Sequence, residues 1–306
     1  MVTAGPPREM VTDRERSLLA AYGLEPEVRL VLAEPNVRVR ILTVGEGPAV
    51  MLLHGGGGTA ALWAPLMAEL PNVTLHAVDR PGCGVGDAFD YRGVDLRRHA
   101  VAFVESVLDA LGLDRPPFVA NSLGGLWTFW FAIDRPDRVF AMVQLGCPAL
   151  LFGTRGPPLR GFRSVRTPAR SLARSEQAIR MFEREASPAA VRRMGPEMLV
   201  AMYEAEIRPA HLATRQSMLE EIFELRDRQP DLGVGEEELR RIVQPAVLVW
   251  GDRDSFGPPE VGRSVCERLP NGSLEVLPGV GHFPWIEEPA VCARAVLAVV
   301  RSLASA

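Results

Sequence analysis

The stretch "FVANSLGGLWTFW", residues 118–130, passes from one kind of secondary structure to another around a single serine. The run before Asn121 is short and apolar, as in a buried strand, and the residues from Ser122 onwards favour a helix. Ala120 and Gly124, two positions before and two positions after the serine, are small enough for a tight turn that packs against its neighbours. The stretch therefore predicts a strand, a sharp turn that carries Ser122, and a helix. The competing interpretation is that Ser122 is simply a small residue in an ordinary turn.

The rest of the chain alternates between strand-like and helix-like segments. Strand-like runs of apolar residues occur at 28–34, 37–44, 48–58, 73–79, 139–146, 245–251 and 273–279. Helical patterns lie at 98–112, where Gly112 is placed to end the helix, and at 289–303. This alternation predicts an α/β fold with a mainly parallel central sheet covered by helices on both faces.

Residues 148–241 break the alternation. They contain no convincing strand, several helical segments that begin at proline, and five of the ten methionines. We predict that they form a helical cap, inserted into a core domain made of residues 28–147 and 242–306. Residues 1–27 are predicted to form an N-terminal arm.

Composition and charge restrict the classes of function. The chain has 306 residues, 47% of them hydrophobic, and a net charge of -4 at pH 7, which predicts a soluble protein without the basic field that attracts nucleic acid or an anionic membrane. We expect a cytoplasmic location, because the sequence shows no secretory signal and no apolar run of membrane-spanning length. The absence of lysine excludes Schiff-base chemistry. The four cysteines are widely spaced, so we expect no disulfide framework, no metal site and no cofactor.

Three further features follow strand-like runs and carry groups suited to catalysis. Consecutive glycines at 55–58 come directly after a buried strand, where backbone N–H groups can approach a reacting oxygen. Asp252 and Asp254 follow a later strand, and His282 lies in a loop after the last one. A serine becomes nucleophilic at neutral pH when a histidine takes its proton and a carboxylate orients the imidazole. The chain order of serine, acid and histidine suits such a triad.

These motifs together resemble the α/β-hydrolase superfamily in its cap-bearing branch. They are "HGGGG" (54–58), "DRPGCGVGD" (79–87), "ANSLGG" (120–125), "WGDRD" (250–254) and "GHFPWIEEP" (281–289). The resemblance covers residues 28–147 and 242–303. It implies that Ser122 is the nucleophile, that His282 is the base, and that the backbone N–H groups of Leu123 and Gly56 form an oxyanion hole, with Gly57 as the alternative to Gly56.

The two neighbouring acids are candidates for the third member of the triad. Asp252 follows Gly251 immediately, where a short carboxylate bonds the N–H groups of its own turn. Asp254 lies at the far side of that turn and matches the last position of the family's G-x-x-D pattern. We therefore assign the histidine-orienting role to Asp254 and a structural role to Asp252.

Ser122 at the turn argues against the family members that use an aspartate nucleophile. Hydrolysis of a small carboxylic ester or lactone through an acyl-enzyme is the predicted activity. The alternative is hydrolytic C–C cleavage of a diketone like the meta-cleavage products, which Asn121 favours and which Phe283 disfavours, because those enzymes tend to carry tryptophan there. A ligand-binding receptor on a hydrolase scaffold is a lesser alternative, and acyl transfer or perhydrolysis would use the same residues.

The residues predicted to line a substrate pocket combine the turn, the glycine run and the cap. Methionines on helix faces adapt to acyl groups of different shape, whereas a tryptophan such as Trp63 is also a candidate for the core. The predicted pocket residues are Gly57, Trp63, Asn121, Met181, Phe182, Met198, Met202 and Phe283.

Overall fold

The computed structural model describes residues 10–56, 58–149, 195, 197–201, 209–228 and 233–303. Eight strands of this part of the chain form one sheet in the order β1-β2-β4-β3-β5-β6-β7-β8. Each of them overlaps one of the eight predicted strand-like runs, counting the run before Ser122. The strands are β1 Glu27–Ala33, β2 Val37–Val44, β3 Ala49–Leu53, β4 Thr74–Val78, β5 Phe118–Asn121, β6 Met142–Leu145, β7 Ala246–Gly251 and β8 Gly272–Leu277.

The strand directions place the carboxyl ends of most strands at one edge of the sheet. Strand β2 runs antiparallel to both β1 and β4, and all the other neighbours are parallel. The mainly parallel sheet is therefore confirmed. Because the carboxyl ends of parallel strands meet at the same edge, the loops after β3, β5, β6, β7 and β8 lie near one another.

Helices cover both faces of the sheet. They are α1 Asp13–Ala21, α2 Ala64–Ala68, α3 Leu96–Leu111, α4 Ser122–Asp134, α5 Pro209–Arg228, α6 Glu236–Arg240, α7 Pro259–Cys266, α8 Pro284–Glu287 and α9 Pro289–Leu303. Helix α3 begins after Asp95, whose carboxylate accepts the N–H of Arg98, and it ends at Gly112 in the left-handed conformation, as predicted.

Alternating side chains along the strands form two hydrophobic cores. On β5, Phe118 packs in the cluster that contains Phe103 of α3 and Leu126 of α4. Val119 points the other way, into the cluster that contains Leu66 of α2 and Val296 of α9. Each such side chain, when fully buried, contributes about 1.5–3 kcal/mol to folding. The period of two along each strand thus explains why helices are needed on both sides.

Helix α5 lies on the loop at 79–93. Polar side chains on one face of the helix accept hydrogen bonds from backbone N–H groups of alternate loop residues. The bonds join Phe89 N to Thr214 Oγ1 (3.1 Å), Tyr91 N to Ser217 Oγ (3.0 Å) and Gly93 N to Glu221 Oε2 (2.6 Å).

The proposed cap boundaries, 148 and 241, stay a prediction, since most of that segment lies outside the described residues. None of the described helices combines the length and the apolar character that crossing a bilayer requires.

A buried ion-pair network joins the N-terminal arm to the sheet. The Arg40 guanidinium is wholly buried and contacts both oxygens of Glu15 in α1, at 2.8 and 2.7 Å. The Arg40 Nε also donates to Asp79 at 2.7 Å. Removing one partner of such a buried pair leaves a desolvated charge and is strongly destabilising. Helix α1 of the predicted arm is therefore bound to the sheet through Glu15.

His99 of α3 lies in an aromatic cluster beneath the loop at 79–93. Its ring stacks on Phe89 at 4.8 Å between centroids and meets Trp127 edge-on at 5.5 Å. Its Nε2 atom is buried and has no hydrogen-bond partner among the described residues. Burial, together with the nearby charge of Arg80, lowers the pKa of His99 to about 4. The histidine is therefore neutral in the folded protein at neutral pH.

We expect His99 to make the protein less stable in acid. Because the pKa of His99 is lower in the folded chain than its ordinary value, the unfolded chain binds the proton first, so stability is lost progressively as the pH falls from about 6.5 to about 4. His99→Phe keeps the aromatic packing and removes the titration. Between about pH 7 and pH 4.5, the free energy of unfolding should fall less in the variant than in the wild type, by on the order of 2 kcal/mol. Denaturant unfolding at both pH values measures this, and parallel losses in the two proteins would contradict it.

Candidate active site

Ser122 occupies a strained turn between β5 and α4. Its φ angle is +50°, in the left-handed region, which costs a residue with a side chain roughly 1–2 kcal/mol. A Cβ atom at Gly124 would lie 2.2 Å from the carbonyl oxygen of Leu53, so only glycine lets α4 come so close to the end of β3. The predicted strand, sharp turn and helix are confirmed, and so is the need for a small residue two positions after the serine.

Asp254 and His282 form a buried pair. Asp254 Oδ2 lies 2.8 Å from His282 Nδ1, and both side chains are almost inaccessible to solvent. The carboxylate also accepts the N–H of Cys147 at Oδ2, at 2.8 Å, and the N–H of Phe256 at Oδ1, at 2.9 Å. These bonds hold the carboxylate in one orientation. With the Nδ1 proton bound to Asp254, the Nε2 atom of His282 is the nitrogen able to accept a proton.

Asp252 makes a different contact. Its Oδ1 atom accepts the N–H of Gly279 at 2.7 Å, between the turn after β7 and the turn after β8. Its side chain is 36% exposed, whereas that of Asp254 is fully buried. The structure thus places Asp254 against His282, as the sequence predicts. Asp252 does bond the backbone, but it accepts the N–H of Gly279 in the turn after β8 and not an N–H of its own turn, because the two turns lie side by side at this edge of the sheet.

The Asn121 side chain joins the turn of Ser122 to the loop of His282. Its amide nitrogen donates to the carbonyl oxygen of Leu145 at 2.7 Å and to that of His282 at 3.1 Å. Gly146, at φ +72°, follows β6 at the same place, and a Cβ atom there would lie 2.6 Å from the His282 carbonyl oxygen. Asn121 was predicted to line the substrate pocket, and Gly146 was not predicted to belong to the site. A glycine directly after a strand that ends at this edge was the available signal.

The glycine run lies against the turn of Ser122. A Cβ atom at Gly55 would come within 2.5 Å of Asn121 Oδ1 and 3.0 Å of Ser122 Cβ. Within the described residues, the N–H of Gly56 makes no hydrogen bond. The N–H of Leu123 belongs to the first turn of α4, where backbone donors have no partner within the helix. Gly56 and Leu123 remain the predicted oxyanion donors, and Gly57 lies outside the described residues.

Aromatic rings surround His282. Phe256 lies 4.3 Å from the His282 ring and Phe283 lies 5.3 Å from it, measured between centroids. Phe283 contacts Trp285, which in turn packs on Trp63 at 4.6 Å. Phe256 was not predictable from the sequence, because an aromatic residue in a polar turn gives no signal of its own.

The predicted pocket residues are only partly described. Trp63 is wholly buried, and it lies in the same hydrophobic cluster as Met198 and Phe283. Asn121 is also buried, with its amide nitrogen bound to two carbonyl groups. Met181, Phe182 and Met202 lie outside the described residues. The lining of the pocket therefore stays a prediction. No group of three metal-ligating side chains is found in the described part of the chain.

Comparison with known proteins identifies the family. The family described as the alpha/beta hydrolase fold matches residues 48–289. This range includes the glycine run, Ser122, Asp254 and His282, so the chain belongs to the α/β-hydrolase fold family and is a hydrolase.

The names of individual relatives specify a reaction more closely than the family does. A Burkholderia vietnamiensis protein named 2-hydroxy-6-oxononadienedioate/2-hydroxy-6-oxononatrienedioate hydrolase is 29% identical over 291 residues, which cover 90% of this chain and 94% of the relative. A meta-cleavage product hydrolase from Pseudomonas fluorescens, solved with bound acetates, superimposes with a TM-score of 0.73 at 24% identity and covers 90% of this chain and 98% of its own. A Bacillus subtilis carboxylesterase has a TM-score of 0.73 at 18% identity and covers 94% and 95%. The two structures show the shared fold.

The two acids give a matched pair of variants. Asp254→Asn should lower kcat by roughly three to four orders of magnitude and leave the fold intact, because the amide favours the wrong tautomer of His282. Asp252→Asn keeps an oxygen that can accept the Gly279 N–H but removes its charge, so it should cost on the order of 1 kcal/mol of stability or less and little rate. Measuring kcat and Tm for both variants checks this. The assignment fails if Asp252→Asn is the inactive, stable variant.

Proposed function

We propose that this protein hydrolyses the C–C bond next to a ketone in a 2-hydroxy-6-oxodienoate type of compound, with Ser122, His282 and Asp254 as its catalytic residues. The buried Asp254–His282 pair, placed at the same edge of the sheet as the turn of Ser122, carries the proposal. It provides an oriented base at the same edge of the sheet as the half-buried Ser122. An oriented base and a serine on a tight turn are what attack on a carbonyl carbon requires, and this supports the proposal.

The proposed reaction begins with proton transfer from Ser122. The Nε2 atom of His282 takes the hydroxyl proton while Ser122 Oγ attacks the ketone carbon, and Asp254 stabilises the imidazolium that forms. The carbonyl oxygen becomes an oxyanion, which the N–H groups of Gly56 and Leu123 stabilise. When the C–C bond breaks, its electron pair passes to the departing carbon, which takes a proton from His282. Water then attacks the acyl-enzyme and releases a carboxylic acid.

The relatives favour C–C cleavage over ester hydrolysis. The compound in the name of the Burkholderia vietnamiensis relative carries an oxo group at carbon 6 and two carboxylates, with no ester in the name. Hydrolysis of such a compound divides the carbon chain beside the ketone. The 2-hydroxydiene first tautomerises to its 2-oxo form, in which the enol proton has moved to C5. The electron pair released from the C5–C6 bond is then delocalised through the remaining double bond onto the 2-oxo oxygen. We extend this chemistry to the present chain because the alignment spans nearly all of both proteins. The position of Asn121 before Ser122 agrees with it.

Ester hydrolysis, which the sequence favours, is the second candidate. Attack on an ester carbonyl forms the same oxyanion and needs the same three side chains, and an alkoxide leaves more readily than a carbanion. Phe283 next to His282, in place of the tryptophan that C–C hydrolases tend to carry, is the observation in its favour. A direct comparison of the two substrates therefore separates the candidates.

We expect faster turnover of a dienoate than of an ester. The probes are 2-hydroxy-6-oxo-6-phenylhexa-2,4-dienoate, followed by loss of its conjugated absorbance, and p-nitrophenyl butyrate. The value of kcat/KM should be larger for the dienoate by about two orders of magnitude, which corresponds to a difference of about 3 kcal/mol in activation free energy. A ratio in the opposite direction would favour the ester hydrolase instead.

Ser122→Ala tests the nucleophile for either substrate. The variant should lose turnover by on the order of 10⁶-fold, because no other group takes over the attack. It should also lose labelling by a fluorophosphonate probe. Ser106→Ala is the control, since the Ser106 hydroxyl donates to the Phe103 carbonyl within α3 and is remote from the turn. Labelling that persists in Ser122→Ala would place the nucleophile elsewhere.

A further inference from the structure

Arg80 is a buried cation directly behind the glycine run. It follows β4 in the loop at 79–93, and no part of it is exposed to solvent. Its Nε donates to the His54 carbonyl oxygen at 3.1 Å, and its Nη2 donates to the Gly55 carbonyl oxygen at 2.7 Å. Among the described residues, no carboxylate lies within ion-pair distance of it. A buried charge of this kind is costly unless its surroundings stabilise it, so its position needs an explanation.

The Gly55 carbonyl oxygen accepts three hydrogen bonds. The donors are Arg80 Nη2 at 2.7 Å, His54 Nδ1 at 2.8 Å and the N–H of Gly58 at 3.3 Å. The His54 ring can donate there because its Nε2 atom accepts the N–H of Arg80 at 3.0 Å, which leaves the proton on Nδ1. Burial, followed by the charge of Arg80, lowers the pKa of His54 well below its ordinary value, so the ring is neutral. Arg80 thus acts on this carbonyl directly and through His54.

The same peptide group carries the N–H of Gly56. In a planar trans peptide, the C=O and N–H bonds point in opposite directions, so fixing the Gly55 carbonyl also fixes the direction of the Gly56 N–H. A positive charge at the carbonyl oxygen draws electron density from the peptide and makes its N–H a stronger donor. Gly55 lies directly against Ser122, as the 3.0 Å approach of a Cβ atom to Ser122 Cβ shows.

We propose that Arg80 is a positioning residue for the oxyanion hole, orienting and polarising the Gly55–Gly56 peptide so that the Gly56 N–H stabilises the oxyanion formed at the carbon attacked by Ser122. This inference rests on the proposed function and adds to it the residue that sets the strength of one donor. Preorganised donors of this kind are among the largest contributions to acyl-transfer catalysis.

The surroundings of Arg80 favour this role. Its guanidinium lies over the Trp127 ring at 5.1 Å, and its Nη1 lies 3.7 Å from the sulfur of Met218 in α5. The ring face and the two carbonyl oxygens offset part of the cost of burial. Because α5 and the ring exclude water, the charge is weakly screened and acts strongly on the adjacent peptide.

The test compares substitution of Arg80 with substitution of a similar arginine elsewhere. Arg115 also donates to a backbone carbonyl, that of Val139, and lies over the Phe140 ring, but it precedes β5 at the opposite edge of the sheet. The variants are Arg80→Met, Arg80→Lys and Arg115→Met. The readouts are Tm, kcat and KM for the faster of the two substrates, and the inhibition constant of phenylboronic acid. Ser122 Oγ adds to the boron of this probe, its proton passes to His282, and an anionic tetrahedral adduct forms.

Arg80→Met should lower kcat by about 10- to 100-fold. This is less than the loss caused by removing an oxyanion donor, because the Gly56 N–H is still present but less well oriented and polarised. The inhibition constant of phenylboronic acid should rise by the same factor, while KM changes by less than about threefold. Arg80→Lys keeps the charge and should recover part of both losses, and Arg115→Met should change neither. A purely structural role would lower Tm without this parallel change.

The outcomes that contradict the inference also show whether the proposed function fails with it. A folded Arg80→Met variant that keeps both kcat and the inhibition constant overturns the role of Arg80 and leaves the proposed function intact. A loss of kcat without weaker inhibition does the same, because the oxyanion would then not be involved. Turnover that persists in Ser122→Ala overturns both proposals. If Arg80→Met does not fold, Arg80→Lys must show the parallel loss on a smaller scale, and its absence counts against the inference.

Discussion

The arrangement of the site depends on one buried amide. The Asn121 side chain, at the end of β5, donates to the carbonyl oxygens of Leu145 and His282. These two bonds join the end of a neighbouring strand, the loop of the histidine and the turn of Ser122. A buried carbonyl left without its donor costs about 1–3 kcal/mol. Loss of Asn121 would therefore affect the position of His282 as well as the stability of this edge.

The glycine run is held in a comparable way by two consecutive residues after β4. Asp79 accepts the N–H of Ala60 at 2.7 Å, and Arg80 donates to the carbonyls of His54 and Gly55. Both ends of the loop are thus bound to one short segment of chain. Asp79 in turn contacts Arg40, and Arg40 contacts Glu15, so the N-terminal helix is connected to the same loop. The motif "DRPGCG" therefore has a structural function beyond the turn that it forms.

Much of the fold was predictable because the sequence patterns are local. All eight strands and the helices α3 and α9 follow from apolar runs and turn residues. The acid that contacts His282 follows from its place in the turn after β7 and from the G-x-x-D pattern of the resemblance. The roles of Asn121, Cys147 and Phe256 were not predictable. Their contacts with Asp254 and His282 join residues more than 100 positions apart or use backbone N–H groups, which any residue type provides.

The sequence by itself determined the order of strands along the chain, the small residues around Ser122 and the identities of the serine, acid and histidine. These depend on period, side-chain volume and chemical type, which are properties of single residues and their neighbours. Only the tertiary structure decided that Arg80 lies behind the Gly55–Gly56 peptide, with no carboxylate beside it in the described part of the chain. That environment arises because β3 and β4 are adjacent in the sheet. Helix α5, far along the chain, covers the loop between β4 and α3 that carries Arg80. Burial and charge pairing are properties of the packed chain, so the sequence alone does not show them.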